Sequence, residues 1–206
     1  MTQTVPEADA PIAAIVYGAD DDVDSLLAAF AFDRLRAGDR LGGIVQRNIK
    51  DATGRRIDMQ LIDLMTGEAI GISQTLGGGA GSCKLDAAGL ADSAQAVSRA
   101  VAADVALVVI NKFSKQEATG HGLRSEFAEA IVAGRPLLTA VPEKCADAWR
   151  DFVGEAGTEL PCRRDALDAW WRAAAPGDAA SLCGDPGSRS TDRPPDDRDW
   201  LWQTIV

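Results

Sequence analysis

The chain has 206 residues with a formal net charge of -10, and hydrophobic residues make up 46% of it. This size suits one α/β domain plus a tail. The acidic balance argues against nucleic-acid and membrane-surface partners, because phosphate backbones and anionic lipids require a basic face, and no apolar run reaches the ~20 residues of a membrane helix.

The N-terminus predicts a short flexible lead over residues 1–11. It carries Glu7 and Asp9 but no basic segment, so we expect no signal peptide. The four cysteines are widely spaced and form no CxxC pair, which favours reduced thiols over a disulfide or zinc framework. The sequence therefore predicts a cytoplasmic protein.

The start of the domain predicts a strand, a helix and a second strand. Ile12–Tyr17 is a continuous apolar run, typical of a strand buried on both faces. After a polar turn that begins at Gly18, helical periodicity covers residues 24–37, and Gly38 provides a stop. Leu41–Gln46 follows as a strand, which predicts a right-handed βαβ unit.

The middle of the chain predicts a hairpin, a glycine-rich loop and a helix. Ile57–Leu64 alternates in polarity, and a turn at Gly67 separates it from Ala69–Gln74, which indicates an antiparallel pair. A glycine-rich loop, LGGGAGSCK, covers residues 76–84. We expect a helix over Asp86–Ala102, with Asp86 as its cap.

The second half predicts two strands and three helices. The strands cover residues 104–111 and 136–141, and the first is the most strongly buried segment of the chain. A polar loop over residues 111–122 precedes the first helix. The helices are expected over residues 123–133, 146–152 and 164–174.

This alternation predicts a three-layer α/β domain over residues 12–175, with a mostly parallel sheet and an inserted antiparallel hairpin. Ligands of such folds bind at the carboxyl ends of the strands, where we expect the loops at 18–25, 76–84 and 111–122 to converge. Residues 176–206 are rich in Pro, Gly and Asp and are expected to be flexible. Their apolar end, Trp200–Val206, either packs on the domain or binds a protein partner or a second copy.

The loop after the first strand has the position of a phosphate-binding loop without its main cation. Such a loop needs G-x-x-x-x-G-K-[ST], with amides and a lysine for phosphates and a hydroxyl for magnesium. Aligned from Gly18, the pattern places Asp24 at the lysine and Ser25 at the hydroxyl. The aspartate repels a triphosphate, which predicts a degenerate site. Alternatively, the aspartates of this loop cap the helix, or Asp24 and Ser25 hold a divalent cation.

The loop at 111–122 contains the basic groups nearest to the predicted site. Asn111 ends the strand where nucleotide hydrolases place an acid for magnesium, and Glu117 is the one candidate to orient a water. The alternative is an ordinary solvated loop. The candidate ligand-binding residues here are Asn111, Lys112, Lys115, His121 and Arg124.

The glycine-rich loop is a further candidate anion site. Its glycines free the backbone to aim successive amides at one anion, although the same composition suits a flexible connector. The candidate ligand-binding residues are Gly77, Gly78, Gly79, Ser82 and Lys84.

Two segments, GRRIDMQLIDLMTGEAIGIS and VVINKFSKQEATGHGLRSEFAEAI, resemble the cancer-related or thermophilic nucleoside-triphosphatase family. Lys115 and Glu117 match the family's G-K-x-E motif, while Ser114 replaces its glycine and Asn111 replaces its acid. The resemblance implies a P-loop-type fold. It also implies a catalytic role for Glu117 if the protein hydrolyses nucleoside triphosphates.

A longer set of motifs is similar to a bacterial family of P-loop-like proteins. The matching motifs include G-x-x-x-D-V-D-x-L-L at residues 18–27 and N-K-F-x-K-x-E-x-x-G-x-G-L-R at residues 111–124, and the resemblance covers roughly residues 12–153. Asp24 belongs to that family's own pattern. The resemblance implies a link to molybdenum uptake, through neighbouring transporter genes.

These features favour a binding or regulatory protein that holds a nucleotide, a phosphate or a molybdate-like oxyanion, with Mg²⁺ accompanying a nucleotide. Two alternatives remain open. One is an active nucleoside triphosphatase with a rearranged site, and the other is a structural or interaction protein with a vestigial site.

Overall fold

The computed structural model describes residues 11–51, 53, 56–71, 87–103 and 105–174. The expectations for the N-terminal lead, the glycine-rich loop with its donors, the cap at Asp86 and the tail from residue 176 lie outside the described residues. None of the described helices combines the length and the apolar character that a membrane crossing requires.

Seven strands of the described chain form one mixed sheet. The strands are β1 (Ile12–Tyr17), β2 (Leu41–Lys50), β3 (Arg56–Asp63), β4 (Ala69–Gly71), β5 (Leu107–Ile110), β6 (Leu137–Pro142) and β7 (Gly157–Pro161). Their order in the sheet is β4-β3-β2-β5-β6-β1-β7. The strands β1, β2, β5, β6 and β7 run parallel, while β3 pairs antiparallel with both β2 and β4. This confirms the mostly parallel sheet with an antiparallel hairpin.

Helices cover both faces of the sheet and complete the three layers. The helices are α1 (Val23–Arg36), α2 (Ala87–Ala102), α3 (Lys115–Ala118), α4 (Arg124–Val132), α5 (Ala146–Val153) and α6 (Arg164–Ala174). On one face α1 meets α6, where the Phe30 and Trp171 rings contact edge to face, with their centroids 6.3 Å apart. On the other face, α2, α4 and α5 contribute to one buried core that includes Val97, Phe127 and Trp149.

Four features differ from the sequence expectations. The strands of the predicted βαβ unit are parallel but not neighbours, since β5 and β6 lie between β1 and β2. β2 is longer than predicted because β3 pairs along it as far as Lys50. β7 was not predicted because it is a short edge strand with mostly exposed side chains. The loop at 111–122 contains the short helix α3, which a capping box between Ser114 and Glu117 stabilises.

The DLMTG segment, which belongs to the resemblance motifs, has a structural role at the turn between β3 and β4. The buried Asp63 carboxylate accepts a hydrogen bond from the Met65 backbone amide at 2.8 Å. It also forms a salt bridge with Arg99 of α2 at 2.6 Å. Gly67 adopts a φ of 74°, a conformation that favours glycine. The motif therefore fixes the hairpin to the helix that covers it.

We expect Asp63→Ala to lower the free energy of unfolding by about 1 to 3 kcal/mol, because it removes the buried carboxylate that accepts from the Met65 amide and the Arg99 guanidinium. Urea denaturation measures this loss. The control Glu68→Ala changes an exposed side chain of the same turn and should stay within about 0.5 kcal/mol of the parent. Equal losses in the two variants would contradict this role of Asp63.

Candidate functional site

A cleft of about 480 Å³ opens at the carboxyl ends of β1, β5 and β6. The loops at 18–25 and 111–122 meet there, as the sequence predicts, and the turn after β6 supplies a third wall that it did not predict. We call this site the lysine cleft. It is lined by Tyr17, Gly18, Ala19, Lys112, Ser114, Lys115, Pro142, Glu143 and Lys144.

Asp24, at the position of the phosphate-binding lysine, is surrounded by donors. Its Oδ1 lies 2.8 Å from the Lys112 ammonium and accepts a hydrogen bond from the side-chain amide of Asn111 at 3.1 Å. Its Oδ2 accepts hydrogen bonds from the side-chain amides of Gln46 at 2.8 Å and Asn48 at 3.2 Å. The phosphate-binding pattern puts the cation in the first loop and an acid at the end of the second strand. In this chain the acid lies in the first loop, the strand-end position holds the neutral Asn111, and the cation Lys112 follows one residue later.

Three donors of the first loop contact the loop's own carboxylates. The Gly18 amide donates to Asp21 at 2.8 Å, and the Ser25 hydroxyl donates to Asp22 at 2.8 Å. Asp22 is the N-cap of α1 and accepts the Ser25 amide at 3.3 Å, so the capping alternative is confirmed for Asp22. The Gly18 amide and the Ser25 amide and hydroxyl are therefore engaged within the loop.

Metal binding at Asp24 and Ser25 stays a prediction. Both side chains already contact groups of the protein, namely Lys112 and Asp22. Within the described ranges, no group of three or more His, Cys, Asp or Glu side chains is arranged to hold a metal ion.

Glu117, the candidate catalytic residue, is buried and holds its own loop together. One carboxylate oxygen accepts a hydrogen bond from the Ser114 backbone amide at 2.9 Å, and the other accepts one from the Leu123 backbone amide at 3.1 Å. The carboxylate therefore orders residues 114–123 through backbone contacts, with both of its oxygens engaged.

Arg124 and His121 lie outside the lysine cleft. The Arg124 guanidinium donates to the Glu117 carbonyl at 2.9 Å and stacks over the Phe152 ring at 4.3 Å. His121 is exposed, and its Nδ1 lies 3.5 Å from the Thr119 hydroxyl. Neither residue lines the cleft, whose cationic lining residues are Lys112, Lys115 and Lys144, and His121 lines a neighbouring cavity instead.

Tyr17 and Lys144 are site residues that the sequence analysis missed. The Tyr17 ring lies 5.5 Å from the Lys112 ammonium. Burial raises the pKa of Tyr17, with Lys112 opposing the shift, so the phenol is protonated at neutral pH and can donate. Both residues come at or just after the ends of parallel strands, which is the signal that could have identified them.

Two ammonium groups of the cleft are available to a ligand. Among the described residues, no hydrogen bond or ion pair engages the side chain of Lys115 or Lys144, and both residues are exposed. Lys112 is held on Asp24 with 21% of its side chain exposed. The cleft therefore presents ammonium groups to an anionic ligand, and among the described residues that line it Glu143 is the one with a carboxylate.

Comparisons with known proteins agree with this architecture. Residues 12–170 match the family described as "Protein of unknown function (DUF2478)". Over 161 residues the chain is 63% identical to "Molybdenum import ATP-binding protein ModC 2" of Bradyrhizobium diazoefficiens, covering 78% of this chain and 18% of the relative. The chain thus spans about a fifth of that relative's length. A human cancer-related nucleoside triphosphatase has a similar fold, with a TM-score of 0.53 at 12% identity over 73% of this chain and 87% of that chain.

Proposed function

The chain belongs to the family described as "Protein of unknown function (DUF2478)", and we propose that it is a binding or regulatory protein. Its lysine cleft holds a small oxyanion, a phosphate or the phosphate group of a nucleotide, and the protein does not hydrolyse this ligand. The observation that carries the proposal is the pairing of Asp24 with Lys112 at 2.8 Å. The acid blocks the usual phosphate position, while the cations lie on the neighbouring loops.

The chemistry of the lysine cleft suits a compact anion. Lys115 and Lys144 supply mobile ammonium groups, and the Tyr17 phenol supplies a neutral donor. Phosphate and molybdate are both small tetrahedral oxyanions, so a few such donors match their oxygens. Glu143 disfavours a highly charged ligand that would have to approach its carboxylate.

The occupied side chains argue against phosphate transfer. Hydrolysis needs a group that orients water and a hydroxyl or acid that holds magnesium. Glu117 is engaged by two backbone amides, and the Ser25 hydroxyl donates to Asp22. Asn111, at the end of β5, is neutral and donates to Asp24. These contacts support a site that binds a ligand and releases it unchanged.

A role beside molybdenum metabolism is part of this proposal. The relative from Bradyrhizobium diazoefficiens carries molybdenum import and ATP binding in its name. Because the match covers 18% of that relative, its name alone does not say which activity the shared segment has. Molybdate is therefore the first oxyanion to test in the lysine cleft, with nucleotides as the alternative.

We expect Lys115→Met and Lys144→Met each to weaken oxyanion binding about tenfold, because each removes a charge-assisted hydrogen bond. A thermal-shift screen of molybdate, tungstate, phosphate, sulfate, ADP, ATP and GTP identifies the ligand, since a ligand of the native state raises its stability. Calorimetry then measures the affinities. Arg172→Met, which removes an exposed cation from α6, is the matched control and should leave the affinity unchanged.

Two results would contradict the proposal. One is oxyanion binding that neither lysine variant weakens. The other is release of phosphate from magnesium–ATP or magnesium–GTP above a heat-denatured control, with loss of that turnover in Glu117→Gln. The second result would establish the nucleoside-triphosphatase alternative.

A further inference from the structure

A second cavity of about 520 Å³ lies beside the lysine cleft, across residues 111–114. Its walls come from β2, β3, α2 and residues 111–123, and we call it the apolar cavity. The apolar side chains that line it are Met59, Leu61, Leu90 and Leu123. Leu61 and Leu123 are almost fully buried, so much of the wall is a preformed apolar surface.

Polar residues also line the apolar cavity, and one of them carries an acceptor without a partner. Asn111 is 4% exposed, and its Oδ1 is buried with no hydrogen-bond partner within the described chain. Its amide nitrogen donates to Asp24, which fixes the orientation of the amide. A buried acceptor without a donor is costly in a folded protein. The orphan oxygen therefore indicates a ligand that supplies an N–H or O–H group.

Gln46 adds a second acceptor to the lining of the apolar cavity. Its nitrogen donates to Asp24 and to the Asn48 side-chain oxygen, which directs both hydrogens of the amide into the network around Asp24. The Gln46 oxygen is left as an acceptor, and the residue lines the cavity. The Asp24 carboxylate thus turns two amides so that their oxygens face away from it.

We propose that the apolar cavity binds a neutral heterocycle through an exocyclic amino group. An amino group on a ring carries two N–H donors, which match the oxygens of Asn111 and Gln46. The ring itself matches the apolar walls. Glu117 and Lys112 both line the cavity and carry opposite charges, so the lining favours a ligand without net charge. This inference does not depend on oxyanion binding in the lysine cleft.

The test needs probes without charge, because Lys112 and Ser114 line both cavities and would respond to any phosphate group. The probes are 9-methyladenine and 9-methylpurine, which share the ring system and differ by the amino group. Calorimetry or ligand-observed NMR with the full chain should show the amino compound binding at least about tenfold more tightly, since the other leaves the acceptors unpaired.

A pair of tryptophan variants locates the binding. Leu90→Trp fills the apolar cavity from α2 and should abolish binding of 9-methyladenine. Ala91→Trp adds the same indole on the exposed side of that helix and should retain the affinity of the parent. Circular dichroism melts show that both variants are folded.

Three results would overturn the proposal. They are equal affinity of the two probes, no binding of 9-methyladenine up to its solubility limit, and unchanged affinity in folded Leu90→Trp. Oxyanion binding in the lysine cleft is measured separately, so either proposal can fail while the other stands.

Discussion

Replacing Asp24 with alanine is expected to lower the free energy of unfolding by about 3 kcal/mol. The change removes the counterion of Lys112, and it removes the acceptor of three side-chain amides at the same time. Breaking a buried ion pair by deleting one partner costs about 3 to 5 kcal/mol, and the lower end applies because Lys112 keeps 21% of its side chain exposed. Chemical denaturation measures the loss.

A double-mutant cycle separates the ion pair from the rest of the network. Lys112→Met alone leaves the carboxylate with its amide donors, and the combined variant removes both charges. We expect the combined loss to be smaller than the sum of the single losses by at least about 1 kcal/mol. Exchange of the two residues, Asp24→Lys with Lys112→Asp, should recover part of the stability, because the surrounding carboxamides can rotate to present oxygen. Additive losses would show that the pair has no structural coupling.

Replacing Phe113 with alanine is expected to cost about 3 to 5 kcal/mol, as for other buried aromatic side chains. Phe113 is fully buried and contacts the rings of Phe127 at 5.5 Å and Trp149 at 5.1 Å, both edge to face. It also follows Lys112 directly in the chain. We therefore expect the variant to weaken oxyanion binding as well, since the loop that carries Lys112 and Lys115 loses its anchor.

Two variants control for the loss of aromatic surface. Phe152→Ala removes a partly buried ring of the same cluster, and we expect about 1 to 2 kcal/mol of destabilisation with oxyanion affinity retained. Phe113→Leu keeps most of the buried volume and should restore both stability and binding in part. The anchoring role is contradicted if Phe113→Ala stays folded and binds oxyanions as tightly as the parent.

Much of the fold follows from local patterns in the sequence. The apolar run at residues 12–17 coincides with β1, and the periodic segment at 164–174 coincides with α6. Both patterns are strong, because a strand buried on both faces and an amphipathic helix restrict the residue type at each position. The strand β7 escaped prediction since an edge strand with exposed side chains has no such restriction. The short helix α3 was missed because a single turn offers no periodicity.

The sequence by itself determined the charges of the candidate site: an aspartate at residue 24, where the phosphate-binding pattern has a lysine, and a lysine just after the strand that ends at residue 110. Only the tertiary structure decided that these charges pair and that Lys144 joins the cleft. The physical reason is distance along the chain. Asp24 and Asn111 are 87 positions apart, and the parallel sheet brings them within 3.1 Å. Local patterns specify which residues a strand or helix buries, whereas contacts between distant loops depend on the order of strands in the sheet.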